Sequence, residues 1–267
     1  LESDRKPLFA PLVRTFHSAA FYREAALERS GSYVGYLLFL VVLLWIPRGG
    51  MLYASLHRYV ATSGEEIARQ IPEVRIDGGK ASIDRPGPVE VRTPEDNALL
   101  MVIDTEGSWK GAAGTKGEPV FRLLSDRLVV NLPNDGRREF PLGGVDGFRA
   151  DGAVFLESAR SFPADFTLLF VPAAILACFL ARYAEVRILA LAARRFAGRE
   201  GIDLDGAALV RLSVFAVTPA AVTRLWLDAS GLFLPMAFAL DFVASLAYVR
   251  FAVRSAAAPP PIEEEGG

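Results

Sequence analysis

Residues 33–46 read YVGYLLFLVVLLWI, and residues 166–181 read FTLLFVPAAILACFLA. Neither stretch carries a charge, and Thr167 is the only polar side chain of the second. Each is shorter than the ~20 residues that a hydrocarbon core asks of a helix. The first can be lengthened by Gly31, Ser32 and the residues after Pro47. Two such runs in a chain that is 52% hydrophobic, with a mean hydropathy of +0.29, read as membrane crossings. Helices buried inside a water-soluble globule are the competing reading.

The first run follows about thirty polar and mixed residues and no A-x-A-like site follows it, so it reads as a retained anchor. Residues 1–30 form the segment before it. Within them Leu8, Phe9, Val13, Phe16 and Phe21 alternate with arginines, as in an amphipathic helix on a membrane surface or a helix packed on the bundle. The first crossing is assigned to residues 31–50. Met51–Gln70 then spaces Leu52, Leu56, Tyr59, Val60 and Ile67 close to one helical face, and Pro72 ends it.

Residues 72–160 change character. Turn signals at Asp77-Gly78-Gly79, Pro86-Gly87-Pro88, Asn134-Asp135-Gly136 and Gly143-Gly144 separate short apolar stretches. The spacing predicts strands at Val74–Ile76, Val89–Arg92, Leu99–Ile103, Val120–Leu124, Leu128–Leu132, Glu139–Leu142 and Val154–Leu156. The clearest hairpin is at Asn134-Asp135-Gly136.

The second crossing is assigned to residues 162–182, with a kink expected at Pro172. It continues as an amphipathic segment, residues 183–208, punctuated by Arg187, Arg194 and Arg195. Two weaker crossings follow at 209–228 and 231–250, joined by the tight turn Asp228-Ala229-Ser230-Gly231. Residues 251–267 are proline-rich, then acidic, and are expected to be a disordered tail. The fold class predicted is an α-helical membrane bundle of about four transmembrane helices, with a small β-rich domain inserted at residues 51–160.

Sidedness follows from the basic residues. Residues 1–32 carry five, residues 182–211 carry six, and the link 224–232 carries only Arg224. The positive-inside rule makes the arginine-rich side cytoplasmic and both termini with it, leaving residues 51–160 extracytoplasmic. Trp45 and Trp226 then fall at outer ends of crossings and Tyr33, Tyr183 and Tyr248 near inner ends, as interfacial rings prefer.

Three polar residues in these crossings form a candidate intramembrane site: Asp241, Arg224 and Thr218. An ionised Asp241 near the middle of an apolar run costs about 2.5–3.5 kcal/mol on insertion scales. It must be paired, protonated or turned inward, either as a functional proton or ion site or as a packing hydrogen bond. Arg224 reaches Asp241 only with difficulty, and snorkelling to the outer headgroups is the simpler reading. Thr218-Pro219 marks a kink.

Asp104-Thr105-Glu106-Gly107 resembles the Asp-Thr-Gly loop of aspartic proteases but has one residue too many and no second copy, so it reads as a strand-ending turn. The glycine-rich stretch Gly111–Gly117 leads into no helix and reads as a loop. No G-x-x-x-x-G-K-[ST], G-x-S-x-G, H-E-x-x-H or C-x-x-C occurs, so no cofactor, metal or catalytic residue is assigned. Cys178 is the single cysteine, and His17 and His57 flank the first crossing on opposite sides. A net charge of -2 gives no field for nucleic acid.

Four stretches carry a family resemblance: Phe16 with Phe21-Tyr22, Ile71-Pro72-Glu73-Val74-Arg75-Ile76-Asp77-Gly78-Gly79-Lys80-Ala81-Ser82, Met101-Val102-Ile103-Asp104-Thr105-Glu106-Gly107, and Phe215-Ala216-Val217-Thr218-Pro219-Ala220. In this order they resemble the bacterial DUF1189 family, which includes a membrane protein of maltodextrin gene clusters and is grouped with Yip1-type membrane proteins. The resemblance implies a multi-pass protein of the bacterial cytoplasmic membrane with an extracytoplasmic insert, and no catalytic residues. The function expected is a scaffold or accessory subunit that binds a membrane-protein partner or a second copy and presents the insert for docking or sensing. The alternative is a small transporter or lipid-handling protein using Asp241 and Arg224.

Overall fold

A computed structural model describes residues 10–27, 33–111, 119–132, 136–231 and 236–257. The chain divides into two compact units, residues 1–49 with 170–267 and residues 50–169. The elements are α1 (Ala10–Arg14), α2 (Ala19–Leu27), α3 (Tyr33–Gln70), eight strands, α4 (Gly152–Arg199), α5 (Gly206–Ala229) and α6 (Ala237–Ala257).

The second unit begins with residues 50–70 of α3. Two small sheets follow. One has the order β2-β1-β8, from Lys80–Ile83, Val74–Asp77 and Phe148–Ala150. The other has the order β3-β4-β5-β6-β7, from Val89–Arg92, Leu99–Asp104, Phe121–Leu124, Arg127–Leu132 and Gly136–Pro141. All pairings are antiparallel except β4 with β5. Inward residues of both sheets make one core of Val74, Ile76, Ala81, Ile103 and Leu142. The strict alternation of β1, with Val74 and Ile76 in and Arg75 and Asp77 out, is the half-buried pattern of a packed sheet.

The Gly78-Gly79 turn shows why glycine is needed. Both have positive φ, 54° and 76°, as a two-residue hairpin turn demands. A Cβ on Gly79 would lie 2.8 Å from the Cα of Gly143. Gly79 N–H donates to the Val145 carbonyl at 3.1 Å and Gly78 N–H to Asp146 Oδ1 at 2.7 Å, tying the hairpin to the loop after β7.

Two corrections concern strands. Val154–Leu156 is helical, the first turn of α4. Asp151 overrides its β-branched composition, accepting from the backbone N–H of Ala153 and Val154 at 2.9 Å each, which is the N-cap geometry that starts a helix. Lys80–Ile83 and Phe148–Ala150 are strands that the apolar pattern did not reveal. The expected hairpin turn includes Asn134 and Asp135, which lie outside the described residues, but its flanks β6 and β7 pair with Leu132 opposite Gly136. Of Gly111–Gly117, only Gly111 is described.

The first unit is helical. Three helices, α3, α4 and α5, are long and apolar enough to cross a membrane. The expected fourth differs: α6 carries Asp241, Arg250 and Arg254 within 21 residues, and Leu232–Pro235 lie outside the described residues. α3 is one helix through Pro47, uniting the expected crossing with the helix after it. α6 continues to Ala257, so residues 251–257 are not part of an irregular tail, and the rest of that tail lies outside the described residues.

α5 is the centre of this unit. Of its most apolar window 72% is buried, against 28% for α3 and 0% for α4. Leu209, Val214 and Val217 of α5 pack with Leu37, Leu40 and Leu189. The N-terminal helices do not lie free. Phe21, Tyr22 and Ala25 of α2 pack on Leu212 of α5 and Ala252 of α6, which selects bundle packing over the surface-lying alternative.

Candidate functional site

Thr218, Arg224 and Asp241 come from two helices, α5 and α6, that form an antiparallel hairpin, and each residue has a different partner. Thr218 is fully buried, and its Oγ1 lies 3.1 Å from Tyr36 Oη of α3. One residue on, Pro219 supplies no N–H, leaving the Phe215 carbonyl without its helical donor. The Thr218 hydroxyl is thus a helix-packing contact next to a weakened turn, and α5 remains continuous through it.

Arg224 Nε donates to Asp228 Oδ1 at 2.8 Å, one helical turn away, and Arg48 of α3 donates to the other oxygen of the same carboxylate. Arg224 thus has a local acidic partner other than Asp241. Its i+4 aspartate satisfies it locally and shares its second oxygen with the arginine that α3 brings alongside.

Asp241 finds a different cation. Arg182 of α4 approaches it at 3.8 Å and also donates to Glu185 Oε2 at 2.6 Å. Asp241 and Arg182 are largely buried, with side-chain exposures of 16% and 17%. Asp241 and Arg224 make no direct pair, but both line a cleft of about 150 Å³ between α5 and α6, with Pro219, Ala220, Thr223 and Leu240. The structure therefore gathers two of the three residues around one cleft and turns the third to another helix.

Two ionic triads result. Arg48–Asp228–Arg224 has one positive charge in excess, and Arg182–Glu185–Asp241 one negative charge, when all are ionised. The second triad is the more buried, and buried charges persist only when paired, so breaking it costs about 3–5 kcal/mol, whereas the part-exposed first triad is worth less. Arg182 and Glu185 were missed in the sequence because they follow the apolar run and read as the start of a surface segment. The i,i+3 spacing of opposite charges was the available signal.

Arg211 was also missed. It is 6% exposed and, among the described residues, has no carboxylate partner. Its guanidinium donates to the Ala25 and Ala26 carbonyls, closing the C-terminal end of α2, where a cation meets unsatisfied carbonyls and the negative end of the helix dipole. One buried arginine thus fastens the N-terminal helix to α5.

The insert holds a second cluster. Asp104, at the end of β4, is fully buried. It accepts from the backbone N–H of Ser108 at 2.9 Å and of Trp109 at 3.2 Å, and from Arg122 at 3.0 Å. The Arg122 guanidinium lies 5.1 Å from the centre of the Trp109 ring, and the Trp109 indole donates to Glu90 Oε1 at 3.0 Å. Burial alone would raise the Asp104 carboxyl, but Arg122 and the two amides prevail and hold it below the usual aspartate range. The Trp109 indole and Arg92 likewise hold Glu90 low. The Asp104 carboxylate closes a turn and presents no free oxygen pair to a cleft. Among the described residues, no group of three or more His, Cys, Asp or Glu could hold a metal ion.

A family model described as "Protein of unknown function (DUF1189)" matches residues 9–253. The chain belongs to the DUF1189 family. No curated protein and no solved structure matches it. The four stretches that carry the DUF1189 resemblance now have physical roles in this chain. They make the α2 dock, the β1–β2 hairpin, the Asp104 turn and the buried Thr218 level of α5. Two of them meet directly, Phe21 against Phe215 with ring centres 4.9 Å apart.

The pH dependence of the insert follows from these pKa directions. The folded values of Asp104 and Glu90 lie below the unfolded ones of ~3.9 and ~4.3. Their contribution is complete above the unfolded values and is lost as pH falls through the folded ones. Trp109 fluorescence, with Trp45 and Trp226 replaced by Phe, should report constant stability from neutral pH to about 5 and loss below about 4. Asp104→Asn should cost about 2 kcal/mol at neutral pH and flatten that acid limb.

Proposed function

We propose that this DUF1189 protein is a multi-pass scaffold or accessory subunit of the bacterial cytoplasmic membrane. Its helical unit binds a partner membrane protein or a second copy, and its β-rich unit is an extracytoplasmic docking or sensing module. The observation that carries the membrane reading is α4. Its apolar window has a mean hydropathy of 2.1, and no residue of it is fully buried by the rest of the chain. Such a surface is stable in hydrocarbon and costly in water, at about 25 cal/mol per Å². In this reading α3, α4, α5 and α6 cross, both termini are cytoplasmic, and residues 51–160 are outside. The arginine distribution supports it. A grouping with Yip1-type proteins fits the same helical architecture.

A single cysteine in a Cys178→Ala background tests the sidedness. Ser82→Cys should react with an impermeant maleimide in intact spheroplasts, and Arg195→Cys only after lysis. Equal reaction of both in intact spheroplasts would contradict the topology.

A second reading, a small transporter or lipid-handling protein, is favoured by one observation: Asp241 and Arg224 share a cleft. Purification from native membranes in mild detergent separates the two. A stoichiometric partner or homo-oligomer that survives Asp241→Asn supports the scaffold. A lone chain whose ion- or solute-dependent phenotype disappears in Asp241→Asn supports transport and contradicts the scaffold.

A further inference from the structure

The second half of α4 carries an exposed stripe that changes chemistry along its length. At 100° per residue, Leu176, Leu180, Arg187, Leu191 and Arg194 fall within about 60° of one another. All five are exposed. From Leu176 to Arg187 the helix rises roughly 16 Å, close to the depth of one leaflet of a ~30 Å hydrocarbon core. The stripe is thus aliphatic over one leaflet and cationic beyond it.

At the cationic end the stripe becomes a cleft. A space of about 400 Å³ opens between α4 and the first turns of α5. Arg187 and Arg194 line it together with Ile188, Leu191, Leu209 and Val210. Neither arginine makes an ion pair among the described residues, whereas six of the ten other described arginines in this unit are held by a carboxylate or a carbonyl. Asp205, the nearest acid on α5, is already engaged by the Ala208 N–H at 2.6 Å as the helix cap. Asp203 lines a neighbouring cleft with Arg194 but not this one.

We infer that this cleft seats the headgroup of an anionic phospholipid, its phosphate between Arg187 and Arg194 and its acyl chain along Leu180 and Leu176. The inference rests on the membrane reading above. Two free guanidiniums beside an aliphatic wall match a phosphodiester attached to a hydrocarbon chain, and a basic pocket between helices is a recognised lipid-binding arrangement. A zwitterionic lipid brings a compensating cation and gains less from the pair of arginines.

The full chain, delipidated in neutral detergent and offered mixed phosphatidylglycerol and phosphatidylcholine micelles, tests this by native mass spectrometry. The wild type should retain phosphatidylglycerol preferentially. Arg187→Gln with Arg194→Gln should weaken that retention roughly twenty-five-fold, taking about fivefold per basic residue. Arg199→Gln, about 120° round the helix, should leave it unchanged. Equal retention by wild type and the double variant would overturn the seat, as would displacement by inorganic phosphate at the concentration of the lipid. Failure of the membrane reading is read separately, as a wild type that stays monodisperse with no detergent and retains neither lipid.

Discussion

The rest of the structure depends on where the apolar face of α4 goes. α5 hides most of its apolar surface among its neighbours, and α3 hides part, whereas α4 has no fully buried residue in its most apolar window. A helix in water keeps its apolar stripe against a core and its polar face outward. α4 has apolar residues all round through Phe166–Ala181, nine of the sixteen exposed and the rest only part-buried, a surface that suits hydrocarbon and is costly in water. In the proposed membrane reading, lipid replaces a protein interior for this helix, and polar groups at hydrocarbon depth must be paired within the chain because acyl chains offer them nothing.

That requirement explains the pairing pattern. α3 and α5 are joined at two levels, Tyr36 with Thr218 and Arg48 with Asp228, twelve residues apart along α3 and ten along α5, so they run alongside one another in the same direction. α4 reaches α6 through Arg182 and Asp241. α2 is fastened to α5 by Arg211. Together the links tie three different pairs of helices, so the polar contacts specify which helix neighbours which, while the apolar contacts supply close packing. The insert follows the same logic in water. Asp104 is buried and satisfied by two amides and a guanidinium, fixing the turn after β4, an inner strand of the larger sheet.

Much of this was legible from residue type and spacing. Tyr33–Ile46 and Phe166–Ala181 announce themselves as apolar runs, and the strands at Val89–Arg92 and Leu99–Ile103 follow from β-branched residues between turn signals. Val154–Leu156 misled because its composition suits either state, and the single preceding Asp151 decides in favour of helix. Lys80–Ile83 has little apolar character and is a strand because the Gly78-Gly79 turn delivers it to β1. The partners of Asp241 and Arg224 were not legible, since pairing across helices depends on rotation and depth that spacing within one helix does not set. Asp228 was available as an i+4 partner of Arg224 and had been read only as part of a turn. Arg211, grouped with the cytoplasmic arginines, proved to be a buried helix cap.

A spin label at Leu176→Cys, in a Cys178→Ala background and reconstituted into bilayers, measures the solvent of α4 directly. The account predicts high accessibility to oxygen and low accessibility to a water-soluble nickel chelate, the signature of a site facing hydrocarbon. High accessibility to the nickel chelate there would contradict it, because the uncovered face of α4 would then be facing water.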